Sequence, residues 1–108
     1  MFTYPTLADR VWAKARYVGL QAEASGFRHD ACGAWIHRHS YGNRDSPYGW
    51  EIDHISPESN GGSDALSNLR PLHWRNNVAK SDGRLACAVT SAGAQNVSPT
   101  LLSGLFLR

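Results

Sequence analysis

In the run Trp50-Glu51-Ile52-Asp53-His54-Ile55-Ser56-Pro57 an acid and an imidazole stand side by side, just before a Ser-Pro pair. Tyr48 to Ile55 is rich in aromatic and β-branched residues and reads as a strand. Neighbouring side chains in a regular strand point to opposite faces, so Asp53 and His54 line one site only where the strand ends or bulges. Ser56-Pro57 supplies that ending, because proline has no N–H to give to a sheet ladder. For Asp53 and His54 to share a site, the strand must end or bulge at these two residues.

The surrounding pattern divides the chain into residues 1–26, 27–84 and 85–108. In the first part, Leu7, Val11, Ala15 and Val18 recur at helical spacing and predict an amphipathic helix over Thr6 to Val18. Thr6 and Asp9 resemble a capping box, and Gly19 is a natural stop. In the second part, Ala34 to Tyr41 reads as a strand that pairs with Tyr48 to Ile55 through the turn Gly42-Asn43-Arg44-Asp45-Ser46-Pro47. A polar loop follows from Ser56 to Ser67, with Gly61-Gly62 inside it, and then a short extended piece around Leu69 to Pro71. Leu72 to Lys80 is a helix candidate closed by Ser81-Asp82-Gly83. The third part carries no charge until Arg108 and is expected to be a poorly structured tail, unless Leu101, Leu102, Leu105 and Phe106 pack onto the domain. The fold class expected is α+β.

Composition narrows the function less than it narrows the class. No apolar run approaches the roughly 18 residues that cross a bilayer, and the N-terminus has no charged-then-apolar leader pattern. A membrane partner is therefore not expected, and a cytoplasmic protein of bacterial or phage-like origin is. Two cysteines do not make a disulfide scaffold, and Cys32 and Cys87 are expected to be plain small residues of the core or tail. A net charge of +2 is too weak to bind nucleic acid by charge alone. The cations are nearly all arginine, Lys14 and Lys80 excepted, and arginine suits bidentate contact with phosphate.

Asp53-His54-Ile55-Ser56-Pro57, Gly61-Gly62, Asn68-Leu69 and Asn77-Val78-Ala79-Lys80 together resemble the HNH nuclease signature. The match runs from about Trp50 to Asp82 with its landmarks in order. Upstream, Arg28-His29-Asp30-Ala31-Cys32-Gly33-Ala34-Trp35-Ile36 and Tyr41-Gly42-Asn43-Arg44 resemble the lead-in of short stand-alone HNH proteins. The resemblance implies a ββα-metal (His-Me finger) core, a hairpin followed by a helix around one divalent cation. It further implies hydrolysis of DNA, most naturally double-stranded, to 5′-phosphate and 3′-hydroxyl ends. A homodimer or a larger nuclease complex fits as well.

The chemistry of these residue types agrees. Phosphodiester hydrolysis needs an activated water, neutralised phosphate oxygens and help for the leaving oxygen. An imidazole can be neutral at pH 7 and still accept a proton, so His54 is the candidate general base. Asp53 and Asn77 offer a carboxylate and an amide oxygen, a hard and sparse set that suits Mg²⁺, with Mn²⁺ or Ni²⁺ as alternatives. In the family the counterpart of Asn68 braces the loop and orients the imidazole, and the same is expected here beside His54. Asn77 and Lys80 share a helix face, so Lys80 either meets a phosphate or is an ordinary terminal lysine. Arg75 and Arg44 are weaker phosphate candidates. Glu51 resembles the family's Glu before its Asp-His pair, and either supports the metal site or pairs with an arginine.

Other readings compete at several positions. Many HNH proteins hold a structural zinc with two Cys-x-x-Cys pairs; the matching positions here are His29, Cys32, His73 and Asn76. Asn is a poor zinc ligand, so structural zinc is not expected. His73, four residues before Asn77, either approaches the metal or substrate from the same helix face or has a packing or capping role. His37 and His39 point the same way on a strand but lack a third ligand nearby. The rival to an enzyme is a non-catalytic nucleic-acid-binding module on the same fold, and a third reading is a structural protein that the finger merely staples. Cleavage that depends on His54 separates the first from the other two.

Overall fold

A computed structural model of the protein describes residues 3–80 and 83–99. Helix α1 spans Leu7–Trp12 and α2 spans Leu20–Ala24; strands β1, Phe27–His29, and β2, Trp35–His37, form an antiparallel pair. Strands β3, Trp50–His54, and β4, Leu69–His73, form a second pair, and α3, Trp74–Ala79, follows β4 directly. Strands β5, Thr90–Ala92, and β6, Gln95–Val97, make a third.

The N-terminal helix is shorter than its apolar stripe predicts. The capping box forms in full, with Asp9 N–H donating to Thr6 Oγ1 and Thr6 N–H to Asp9 Oδ2. The helix stops after Trp12 because Arg16 is drawn into an extended bridge, exchanging two backbone hydrogen bonds with His29. Gly19, at φ 119°, then precedes α2 instead of simply ending α1. Val11 and Ala15 are buried, whereas Leu7 lies outside the core. Tertiary pairing has overridden helical periodicity.

The hairpin partner also differs from the expected one. Residues 34–41 form no antiparallel ladder with 48–55 and meet them at the isolated parallel bridge Tyr41↔Trp50; β2 pairs back onto β1, and Arg38–Ser40 is a 3-10 turn. The partner of β3 is β4, in the register Asp53↔Arg70 and His54↔Leu69. Ile52 faces Pro71 in that ladder, at the edge of a two-stranded sheet where a missing N–H is tolerated. The helix expected from Leu72 begins only at Trp74, since Leu72 and His73 complete β4.

Val11, Trp12 and Ala15 pack with Ile36, Trp50 and Leu69 in one core, with the Trp12 and Trp50 rings 5.4 Å apart. Burying these apolar groups is the main favourable term, each large side chain contributing about 1.5–3 kcal/mol. Lys14 reaches across to the carbonyls of Leu66 and Leu69, tying the end of α1 to the start of β4.

The chain beyond residue 84 corrects two expectations. Through residue 99 it is folded, with Asn96 exchanging hydrogen bonds with the Trp35 backbone. Cys32 and Cys87 form a disulfide and so are not plain thiols. Such bonds persist mainly in oxidising compartments, so cysteine usage lends no support to the intracellular setting expected from the sequence. Leu101, Leu102, Leu105 and Phe106 lie outside the described residues. Among the described residues, no helix is long and apolar enough to cross a membrane.

Candidate active site

Strand β3 ends at His54, at the terminus that the Asp53-His54 pair requires. Asp53 and His54 line one open pocket of about 580 Å³ together with Asn77 and Lys80 from the α3 end of the chain. Antiparallel pairing of β3 with β4 brings this about, because α3 springs directly from β4 and returns its later residues to β3. Asp53 is buried and His54 half-buried.

Both oxygens of Asp53 have cationic partners. Lys80 Nζ lies 2.8 Å from Oδ1 and also contacts the His54 carbonyl; Arg70 Nε lies 2.8 Å from Oδ2. A buried carboxylate needs such partners, since its desolvation is otherwise costly. Asn77 donates from Nδ2 to Glu51 Oε1 at 2.8 Å, and Glu51 is gripped by Arg44 at 2.6 and 3.0 Å. Arg44, followed by the Asn77 hydrogen bond, holds the Glu51 carboxyl below its ordinary range against the opposing effect of burial.

The His54 ring is held by two acids of the loop that follows β3, one of which, Glu58, also lines the pocket. Its Nε2 lies 2.8 Å from Asp64 Oδ1 and 3.5 Å from Glu58 Oε1. His54 in turn holds the Asp64 carboxyl below its usual range by that hydrogen bond. His54, Glu58 and Asp64 each offer a ligand atom, all within 4.8 Å of one another. Asn68 touches the loop instead of the ring. Its Oδ1 accepts from Ser56 N–H, and its Nδ2 donates to the carbonyls of Ser56 and Ser63. Gly62 closes the same loop, where a β-carbon would sit 1.7 Å from the Ser56 carbonyl oxygen.

The family model of the HNH endonucleases matches residues 31–83, the stretch that contains this whole pocket. Residues 31–83 carry an HNH endonuclease domain. No curated protein and no solved structure gives a significant match.

Within the HNH domain, the remaining candidates separate clearly. His73 does not share a helix face with Asn77: it caps α3, accepting from Arg75 N–H on its side chain, while its Nε2 donates to the Pro47 carbonyl. Burial lowers its basicity. Arg75 stands outside the pocket, with its guanidinium 5.1 Å from the Trp74 ring centre. The positions aligned with the family's zinc pairs are otherwise engaged, Cys32 by the disulfide and Asn76 by Asp30 and both backbone groups of Val89. Asp30 organises this region, since its buried carboxylate accepts from the N–H groups of Cys32, Ala34 and His73 and from Asn76.

Sequence reasoning missed Arg70, Glu58, Asp64 and Asp30. Arg70 becomes visible only once β4 is known to pair with β3. Glu58 stands four residues after His54, a spacing that offered a hint; nothing local marked Asp64.

Proposed function

We propose that the chain is a divalent-metal-dependent endonuclease that hydrolyses DNA phosphodiester bonds. The observation that carries this reading is the convergence of Asp53, His54 and Asn77 on one solvent-open pocket from two separate segments. The β3–β4 pair followed by α3 serves as the ββα-metal finger.

The donors suit a hard cation. Asp53 supplies a carboxylate that already holds a cationic group, the Lys80 ammonium, and Asn77 supplies an amide whose nitrogen is turned to Glu51. Asp53 and Asn77 hold the ion, Mg²⁺ or a similar divalent metal. When bound, it supplies positive charge against the phosphate and the leaving 3′ oxygen. His54 takes the proton from the attacking water. With Nε2 directed at Asp64, the Nδ1 lone pair is the acceptor. Asn68 holds the loop after His54 and so fixes where the ring begins. Glu51 fixes the Asn77 amide, and Arg44 fixes Glu51. Lys80 lines the same pocket, where its ammonium can meet a substrate phosphate as well as Asp53.

The test is conversion of supercoiled plasmid, single-stranded DNA and RNA with Mg²⁺, Mn²⁺ or Ni²⁺. The wild type is expected to nick plasmid, and His54→Ala to lose about 100-fold or more of the rate. Intact DNA with the wild type and every metal, alongside measurable binding, overturns the enzyme and favours a nucleic-acid-binding module. The saturation of Asp53 by Arg70 and Lys80 is the observation on that side.

A further inference from the structure

Next to the proposed catalytic pocket lies a second cavity, of about 320 Å³, whose walls include Arg44, Asp45, Trp74, Arg75, Asn96 and Val97. Its size is at the lower end of small-ligand sites. Two guanidiniums lie over one indole: Arg44 Cζ is 5.8 Å and Arg75 Cζ 5.1 Å from the Trp74 ring centre. Arg75 is exposed and has no carboxylate partner among the described residues. Arg44 is tied through Glu51 to Asn77, so the cavity joins the catalytic pocket by an unbroken chain of contacts.

We propose that Trp74, Arg75 and Arg44 form a nucleotide subsite that takes the strand beside the bond to be cut, one base against the indole and its neighbouring phosphates on the guanidiniums. The proposal rests on the nuclease reading and adds where the flanking strand runs. Three features support it. An indole face accepts any base, and such stacking is a main source of affinity for single strands. A guanidinium lying over a ring is weakly hydrated and pre-oriented, and its planar fork matches phosphate oxygens. Trp74 and Asn77 are three residues apart on α3, so a strand crossing the Asn77 end of the pocket passes Trp74 next.

The experiment is fluorescence anisotropy of a labelled single-stranded DNA 12-mer in EDTA, which reads binding without cleavage. Trp74→Leu is expected to weaken binding roughly ten-fold. Arg75→Gln is expected to weaken it several-fold and to lower the slope of log Kd against log salt by about one. Wild-type affinity and slope in both variants overturns the subsite and leaves the nuclease reading standing. Absence of oligonucleotide binding by the wild type, single- or double-stranded, overturns both. Should Trp74→Leu fail to fold, exposed Arg75 decides the question, as does quenching of tryptophan emission on binding; an unquenched wild type together with an unaffected Arg75→Gln overturns the proposal.

Discussion

Lys80 sets its ammonium 2.8 Å from Oδ1 of Asp53, across 27 residues of chain, with both side chains withdrawn from solvent. The contact closes the far end of α3 onto the end of β3. Removing one partner of a buried pair leaves the other charge under-compensated, although Arg70 still covers Oδ2. Lys80→Met is therefore expected to lose about 2–3 kcal/mol in urea unfolding with EDTA present. Adding Mn²⁺ should raise the melting temperature more in this variant than in the wild type, because the cation replaces the missing ammonium. Equal shifts in the two proteins contradict that account.

Two sets of donors meet at His54, and metal titration separates them. Asp53→Asn is expected to abolish Mn²⁺ binding in calorimetry, while Asp64→Asn, like Glu58→Gln, leaves the affinity within about three-fold of wild type. The reverse pattern assigns the ion to His54, Glu58 and Asp64 and removes Asp53 from the ligand set.

The disulfide between Cys32 and Cys87 closes a loop of 55 residues in sequence separation. Loop-closure entropy at that length corresponds to about 4 kcal/mol, and native disulfides commonly deliver about 2–4. The double variant Cys32→Ser/Cys87→Ser should unfold at lower urea by that amount, and reductant should bring the wild type to the same midpoint. A midpoint indifferent to reductant rules the bond out as a stabiliser.

Stability should also depend on pH through His73. Burial depresses its basicity in the folded protein, even though the Pro47 contact opposes the shift. The unfolded chain therefore takes up the proton first. The stabilisation is complete above the ordinary imidazole value of about 6.5 and is lost as pH falls through the lower native value. Protonation would also set a second N–H against that of Arg75, which now donates to Nδ1. The melting temperature is expected to fall between pH 7 and pH 5. His73→Gln should flatten that fall, leaving the slope that His29 contributes, since burial lowers its basicity too. An unchanged slope in the variant removes His73 as the cause.

Part of this was legible without coordinates. Asp53-His54 next to Ser56-Pro57 demanded a strand end, and the strand does end there. Thr6 and Asp9 announced the cap that starts α1, because a side chain three residues away is within reach of the orphan N–H groups. The length of α1 was not legible, since Val18 continues the apolar spacing while the backbone of Arg16 is claimed by His29. Nor was the cysteine pair, which two isolated thiols 55 residues apart do not declare.

What the sequence by itself determined is the chemical inventory and its local geometry: an acid and an imidazole at a strand terminus, and Asn77 and Lys80 three residues apart where a short helix ends, with Lys80 its extended C-cap and not part of its last turn. These follow from rules that act over three or four residues. The tertiary structure alone decided which strand lies against β3, and with it that Arg70 faces Asp53, that His73 caps α3 instead of extending it, and that Asp64 holds the His54 ring. Several apolar segments here are short enough to pair with more than one partner. Selection among them is made by burial of the whole core, a quantity that no single stretch of chain contains.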